Sequence, residues 1–408
     1  MMRHRTLWPI LLYLCTVSAV ACGDGSFEER DYPTFRFPAS SAKVVHEVTL
    51  SDLESAPTWT VDTVAPLTSD GAETVKVFQD LTDVLRLADG RLAAADGFGA
   101  RILIFDEKGG LLEEWGGKGA GPGEFQHASW LGRCGTSGLN VVDLPLSRLT
   151  VYQPTGEVAE VVRLQPPDGA GLRRAPACSE AGDIALLGPL VQPRDRPVGP
   201  FRPLVTLSMR ADGDDEFHEV TEVRGSDSYR WEDQMGPLGD FARRPVFDLA
   251  DGSLFVATGD AFEIAEYDAS GELQSLIVVS DIERFPITNR DLERVRREQL
   301  ASTPERFRDR LEETLTSMEW PEYHPVLTAL VSDSEGCLWV RHHRPDRSLA
   351  TWRVLTRSGD PVGVVQLADD FTLTQVTDRE LVGYAEDELD VGRIVVYRYE
   401  RGADKRCR

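Results

Sequence analysis

Two arginine pairs are the residues best suited to hold a ligand. Arg173 with Arg174 and Arg243 with Arg244 each stand just ahead of a repeated turn, Arg174 and Arg244 eight residues before Gly182 and Gly252. A guanidinium is a planar fork that matches carboxylate or phosphate oxygens. Their setting makes them unusual: 44 basic against 68 acidic residues leave a formal charge of -24, which disfavours any unspecific grip on a nucleic-acid backbone or on anionic headgroups. The expected partner of such arginines is therefore a small acidic ligand or an envelope protein, and not nucleic acid, with Trp130 a further candidate contact. The bland alternative is that they tie strands together through acids such as Asp83, Asp96, Asp143 or Asp240.

Metal chemistry has weaker support. His127, His324, His342 and His343 form the inventory a zinc site would need if they converged. Three of them crowd one stretch of chain, whereas a pore site draws ligands from several elements, so no metal or other cofactor is expected. HExxH, GxSxG, CxxC and Walker signatures are absent from the sequence, which removes the motif support for zincins, elbow hydrolases and NTPases. GGKGAGPGE, residues 116–124, has the glycines of a phosphate cradle but not its Lys-Ser or Lys-Thr ending, and reads better as a linking turn.

The elements that must position these residues repeat. The segments 88–110, 137–157 and 250–272 share one order of turn glycine, strand, polar loop, strand and turn glycine. Weaker copies lie at 181–214, 334–360 and 378–400. Gly90, Gly138, Gly182, Gly252 and Gly336 mark the first turn of five copies and Arg379 that of the sixth, with spacings of 48 and 44 residues where nothing is inserted. A period in the forties built from four strands is that of propeller blades, because one such sheet cannot bury both faces until neighbours stack on it. The fold class is therefore all-β, a six-bladed propeller over 57–402. The sixth copy has only three strands, so the lone alternating stretch from Trp59 to Leu67 should supply its fourth and close the ring. A seventh blade would have to lie in 214–240, where no copy is found.

If strands run outwards from the axis, the links between blades and the loops between second and third strands share one face, here the top. Every long insertion falls on it: Gly188 to Pro203, Gly225 to Asp240, and 286–324 before blade five. The last reads as two helices, with cap signals at Thr288 and Asp291 and again at Ser302, Pro304 and Glu305, and with Phe307, Leu311 and Leu315 on one face. Packing and a lid over a ligand are equally open readings of it.

The segment RILIFDEKGGLLEEWGGKGAGPGEF, with its GxGPGEF loop, resembles an NHL-type repeat. The stretch 241–273 matches the same pattern, and the chain as a whole is similar to bacterial six-bladed propeller lipoproteins of that superfamily. The resemblance implies the fold and no single reaction. Some related propellers are metal-dependent lyases or lactonases, which is the alternative to a lipid-anchored binding or assembly platform working through its top face.

Residues 1–21 combine Arg3 and Arg5 with a mostly apolar run too short to span a bilayer, the pattern of an export signal. Ala19-Val20-Ala21-Cys22 resembles a lipobox, which implies cleavage before Cys22 and its lipidation, leaving 22–56 as a lipidated tether. The expected address is the cell envelope, outside the cytoplasm, on an outer membrane if the host has one, with membrane contact through the lipid alone. With Cys22 so used, Cys134, Cys178, Cys337 and Cys407 remain, an even number in an oxidising compartment. Of three pairings, Cys134 with Cys178 and Cys337 with Cys407 are favoured, the first against the alternative of two buried thiols. Residues 403–408 are read as a short tail.

Overall fold

The computed structural model describes residues 35–64, 78–135, 138–167, 172, 176–188, 198–214, 216–231, 235–345, 347–386, 391–402 and 407. The chain opens with β1 (Val44–Val48), α1 (Leu50–Ser55) and β2 (Val61–Val64), and then runs through the blades in order. Blade one is β3 (Leu81–Arg86), β4 (Leu92–Asp96), β5 (Arg101–Phe105) and β6 (Leu111–Gly116). Blade two is β7 (Ala128–Gly132), β8 (Leu139–Asp143), β9 (Arg148–Tyr152) and β10 (Val158–Arg163). Blade three holds β11 (Ala177–Cys178) and β12 (Ile184–Leu187), then β13 (Gly199–Phe201) outside its sheet, β14 (Leu204–Arg210) and β15 (His218–Arg224). After β16 (Ser228–Arg230) and β17 (Met235–Pro237), blade four is β18 (Val246–Ala250), β19 (Ser253–Ala257), β20 (Phe262–Tyr267) and β21 (Leu273–Val279). Helices α2 (Asn289–Ser302) and α3 (Glu305–Ser317) precede blade five, which is β22 (Leu327–Ser332), β23 (Leu338–His342), β24 (Leu349–Leu355) and β25 (Pro361–Ala368). Blade six is β26 (Thr372–Val376), β27 (Glu380–Glu386), β28 (Gly392–Tyr399) and, outermost, β2, so the fold is the expected six-bladed propeller.

Closure follows the reading from sequence: β2 pairs antiparallel with β28, Val61 opposite Tyr399 and Val64 opposite Val396. Just before it, Trp59 is sealed between blades five and six, stacked on Tyr399 at 5.7 Å and edge-on to Trp339 at 5.7 Å. Residues 35–56, read from sequence as part of a tether, instead pack on the ring. Phe37 is only 4% exposed and packs between blades three and four. β1 adds to blade four as a fifth strand, parallel to β21 with Val44 opposite Ser275. The buried Leu53 of α1 fills the groove between blades four and five, where Arg353 Nη1 donates to its carbonyl at 2.8 Å. Phe37, Val48 and Leu53, the buried apolar residues of this segment, enter grooves along the blades, so it becomes a belt around three blades.

The hydrophobic clusters lie between sheets: Leu85, Ile102 and Trp115 of blade one pack with Leu131, Val141 and Tyr152 of blade two. That is why the repeats hold only as a stack. Buried acids at the outer ends of the second strands then pin the links. Asp96 accepts from Gln79 N and Asp80 N at 2.9 and 3.1 Å, and Asp143 accepts from Gln126 N at 2.7 Å. At the opposite ends, the turn glycines Gly90, Gly182, Gly252 and Gly336 have φ of +89, +107, +76 and +77°, a region that costs other residues strain. The GxGPGEF segment is such a link. Phe125 is buried, its N–H donates to Gly117 O at 2.7 Å, and Glu124 accepts from Gly121 N at 2.8 Å, so the backbone donors that a phosphate cradle would need are used internally.

Both favoured disulfides are present. Cys134–Cys178 joins the inner parts of blades two and three with Cα atoms 5.3 Å apart, and Cys337–Cys407 fastens the C-terminus to blade five at 5.1 Å. Cys407 is thus an anchored residue of the segment read as a tail.

Candidate functional site

Two places carry the chemistry: a cap on the top face and the channel on the ring axis. The cap is built from all three long insertions. β13, from the insertion in blade three, pairs with β16, which pairs with β17, so two insertions form one three-stranded sheet. Beneath it lies a closed ionic cluster. Arg202 Nη1 reaches Asp260 at 2.6 Å, Arg243 Nε reaches Asp227 at 2.7 Å, and Arg243 Nη1 reaches Asp260 at 2.9 Å. The side chains of Arg202, Asp227 and Asp260 are fully buried and that of Arg243 nearly so, two positive against two negative. Arg202 also donates to Gly225 O and Thr258 O, both at 2.8 Å. Arg243 is therefore a strut and not a ligand-binding group, and its acids are Asp227 and Asp260, not those expected from sequence.

The helices complete the cap. Tyr229, Leu238 and Ala242 pack with Leu315 and Met318, and Phe241 meets Trp320 edge-on at 5.5 Å. Thr288 and Asp291 form the expected capping box of α2. The second signal places the start of α3 correctly, with Pro304 at the N-cap and Glu305 in the first turn, but without a side-chain cap bond, since proline has no side-chain acceptor and Ser302 and Thr303 turn their hydroxyls back to Gln299 O at the end of α2. Phe307 is 45% exposed while Leu311 and Leu315 face the cap. None of the described residues lining the channel comes from 286–324, and the apolar side chains of α3 are spent on the cap strands instead.

The four histidines do not converge. His324 Nδ1 and His343 Nε2 lie 3.3 Å apart, with Asp291 3.6 Å from His324 Nε2. His342 faces Arg353 instead, at 3.3 Å, and His127 stands at blade two. Among the described residues no group of three or more His, Cys, Asp or Glu side chains is placed to hold a metal ion.

The channel, about 680 Å³, is lined by the inner strands of the blades. Of the sequence candidates, Trp130 and Arg244 both line it; Arg173 and Arg174 lie outside the described residues. Arg244 is exposed although its neighbour Arg243 is 6% exposed, because successive residues of an extended segment point to opposite sides. Arg133 adds a second guanidinium to the wall. The Thr328 hydroxyl, also in the wall, is buried with no hydrogen-bond partner among the described residues, a group that a polar ligand or water would satisfy.

Two channel acids were not singled out as site residues. Asp83 Oδ1 accepts from Val84 N at 2.8 Å and Oδ2 from Leu131 N of blade two at 2.9 Å. Asp248 does the same three blades on, accepting from Leu249 N at 2.9 Å and from Ser332 N of blade five at 2.6 Å. Burial pushes Asp83 up to about 7 against the opposing pull of its hydrogen bonds. It pushes Asp248 up to about 6 in the same way. Burial also raises the nearby Tyr384 phenol, and the charge of Asp83 adds to that. The sequence signal was slight: one acid in each of the inner strands LTDVLR and VFDLA.

The class these features define is a six-bladed β-propeller with a partly charged axial channel and a cap on one face. No protein-family model and no curated protein matches the chain. Among solved structures it is similar to a Bacteroides fragilis protein described as exported, at 11% identity over 88% of this chain and 100% of that one, TM-score 0.45. It is similar too to a member of the DUF4221 family from Bacteroides vulgatus, at 11% identity over 84% and 99%, TM-score 0.45. A gluconolactonase from Xanthomonas campestris aligns at 14% identity over 91% and 95%, TM-score 0.40. Likeness at this level carries no argument about activity.

Proposed function

We propose that this chain is an extracytoplasmic binding propeller, held to a membrane by a lipid on Cys22, that takes a small acidic ligand from the top face into its channel. The observation that carries the reading is the contrast between adjacent arginines. Arg243 is buried in the cluster with Asp227 and Asp260, while Arg244 is an exposed residue that lines the channel, as Trp130 does. The cap supports this role by fixing the segment that carries Arg244: Asp227 N donates to Arg243 O at 2.9 Å, and Arg243 N donates back to Asp227. A site on so braced a backbone loses little freedom on binding. The two disulfides fit an oxidising compartment. A lyase or lactonase reading gains no support from the histidine positions.

The test is a thermal-shift screen of the mature protein with di- and tricarboxylates, sugar acids and alkylsulfonates, run beside Arg244→Ala. Stabilisation by at least one anion that disappears in the variant supports the proposal. Shifts equal in both proteins place the anion elsewhere. The anchor is tested separately by mass spectrometry of the mature N-terminus, where an unmodified residue beyond Cys22 would refute it.

A further inference from the structure

At the mouth of the same channel a second constellation stands apart from the arginines. His127 Nε2 lies 2.9 Å from Asp80 Oδ2, and His127 Nδ1 lies 2.9 Å from Ser129 Oγ. We propose that Asp80, His127 and Ser129 form a serine nucleophile centre for small acyl esters that enter the channel, an activity beyond ligand binding.

The geometry assigns the roles. A carboxylate on Nε2 fixes the N–H there and leaves the Nδ1 lone pair facing the Ser129 hydroxyl, as a general base requires. The order of ring nitrogens is the reverse of that in the chymotrypsin-type triad, but the logic of acid, imidazole and hydroxyl is the same. The single Ser129 hydroxyl proton has a second acceptor in His127 O, to which Oγ donates at 3.0 Å, while Oγ accepts from Leu144 N at 3.3 Å, and that N–H favours negative charge developing on the oxygen. Ser129 sits at the register shift between Ala128 and Trp130 in β7, and it lines the channel. Bulges of this kind re-aim side chains beside active sites.

The surroundings are fitted to the pair. A Cβ at Gly97 would meet His127 Nε2 at 2.5 Å and Asp80 Oδ2 at 2.8 Å, so only glycine leaves room for this contact. Gly97 N donates to Asp80 O at 2.7 Å, holding the acid in place. Phe98, 56% exposed, meets the imidazole edge-on at 5.2 Å and offers an apolar surface for an acyl or aryl group.

In the reaction Ser129 Oγ attacks the acyl carbon as its proton passes to His127 Nδ1. The alcohol leaves carrying that proton, and an acyl-serine remains. Water, deprotonated by the same nitrogen, cleaves it to the free acid and restores the hydroxyl. The test uses a fluorophosphonate probe, in which a P–O bond to Ser129 forms as P–F breaks and fluoride leaves. The expected result is one adduct per chain, located at Ser129 by peptide mass spectrometry and absent in Ser129→Ala. Labelling should slow about 100-fold in His127→Gln and at least about tenfold in Asp80→Asn, with melting temperatures unchanged. p-Nitrophenyl acetate turnover should fall with the labelling. No adduct at Ser129 on the folded wild-type protein, or equal labelling in His127→Gln, would overturn the proposal and leave the contact as a tie between blades. Labelling is scored at Ser129 alone, so its outcome stands apart from that of the anion screen.

Discussion

Replacing Asp83 by Asn should invert the sign of its effect on stability between acid and alkaline pH. Burial lifts this carboxyl from 3.8 to about 7. A folded-state pKa above the unfolded one means stability that is complete below pH 3.8 and is lost as pH rises through about 7. At ~1.36 kcal/mol per pH unit the whole loss is about 4 kcal/mol, of which about 3 falls between pH 4.5 and 8. Asn cannot ionise, but it offers one oxygen where Asp83 uses two, so either Val84 N or Leu131 N is left against an amide, at about 1–2 kcal/mol. Asp83→Asn should then be slightly less stable than wild type at pH 4.5 and about 2 kcal/mol more stable at pH 8. Urea unfolding followed by far-ultraviolet circular dichroism, at constant ionic strength across that range, measures the difference. A gap that stays constant with pH would show that Asp83 titrates as an ordinary surface acid and would refute the reasoning.

Arg243→Ala should cost about 3–5 kcal/mol, because it strands Asp227 and Asp260 with one guanidinium between them; a cost below about 1 kcal/mol in thermal or urea unfolding would mean the cluster is not as closed as described. Cys337→Ser should cost at most about 4 kcal/mol, the loop-closure value for a separation of 70 residues, and should make the C-terminus sensitive to carboxypeptidase under non-reducing conditions. Truncation before Phe35 should leave the melting temperature unchanged, whereas truncation through Val48 should lower it by removing Phe37 and β1. Truncation through Val64 should give aggregates on size exclusion, as blade six loses its outer strand.

The ring was legible because its evidence is periodic. Turn glycines at fixed spacing, paired strands and the unpartnered strand after Trp59 together define six blades and their closure. The belt was not legible, since Phe35 to Ser41 shows no apolar period and its one fully buried anchor, Phe37, is a single residue in a short irregular stretch. The cap was seen only as insertions on one face. That β13 and β16 pair across two of them depends on contacts between segments of unrelated sequence. Arg243 and Arg244 show the limit most clearly: two identical residues in tandem, whose opposite fates rest on which side of an extended backbone meets Asp227. Ser129 lies two residues from His127, but Asp80 meets that histidine only in three dimensions, 47 residues separating the acid from the base.

Isothermal titration of the mature protein with the anion that shifts its melting most, repeated on Arg244→Ala, tests the central claim directly. An alkylsulfonate is the cleanest such anion, because it does not titrate over the range that matters. The account predicts one site per chain, a heat of binding that vanishes in the variant, and tighter binding at pH 5.5 than at pH 8, as protons remove negative charge from Asp83 and Asp248. Binding of equal strength in the variant, or binding that weakens as the pH falls, would contradict it.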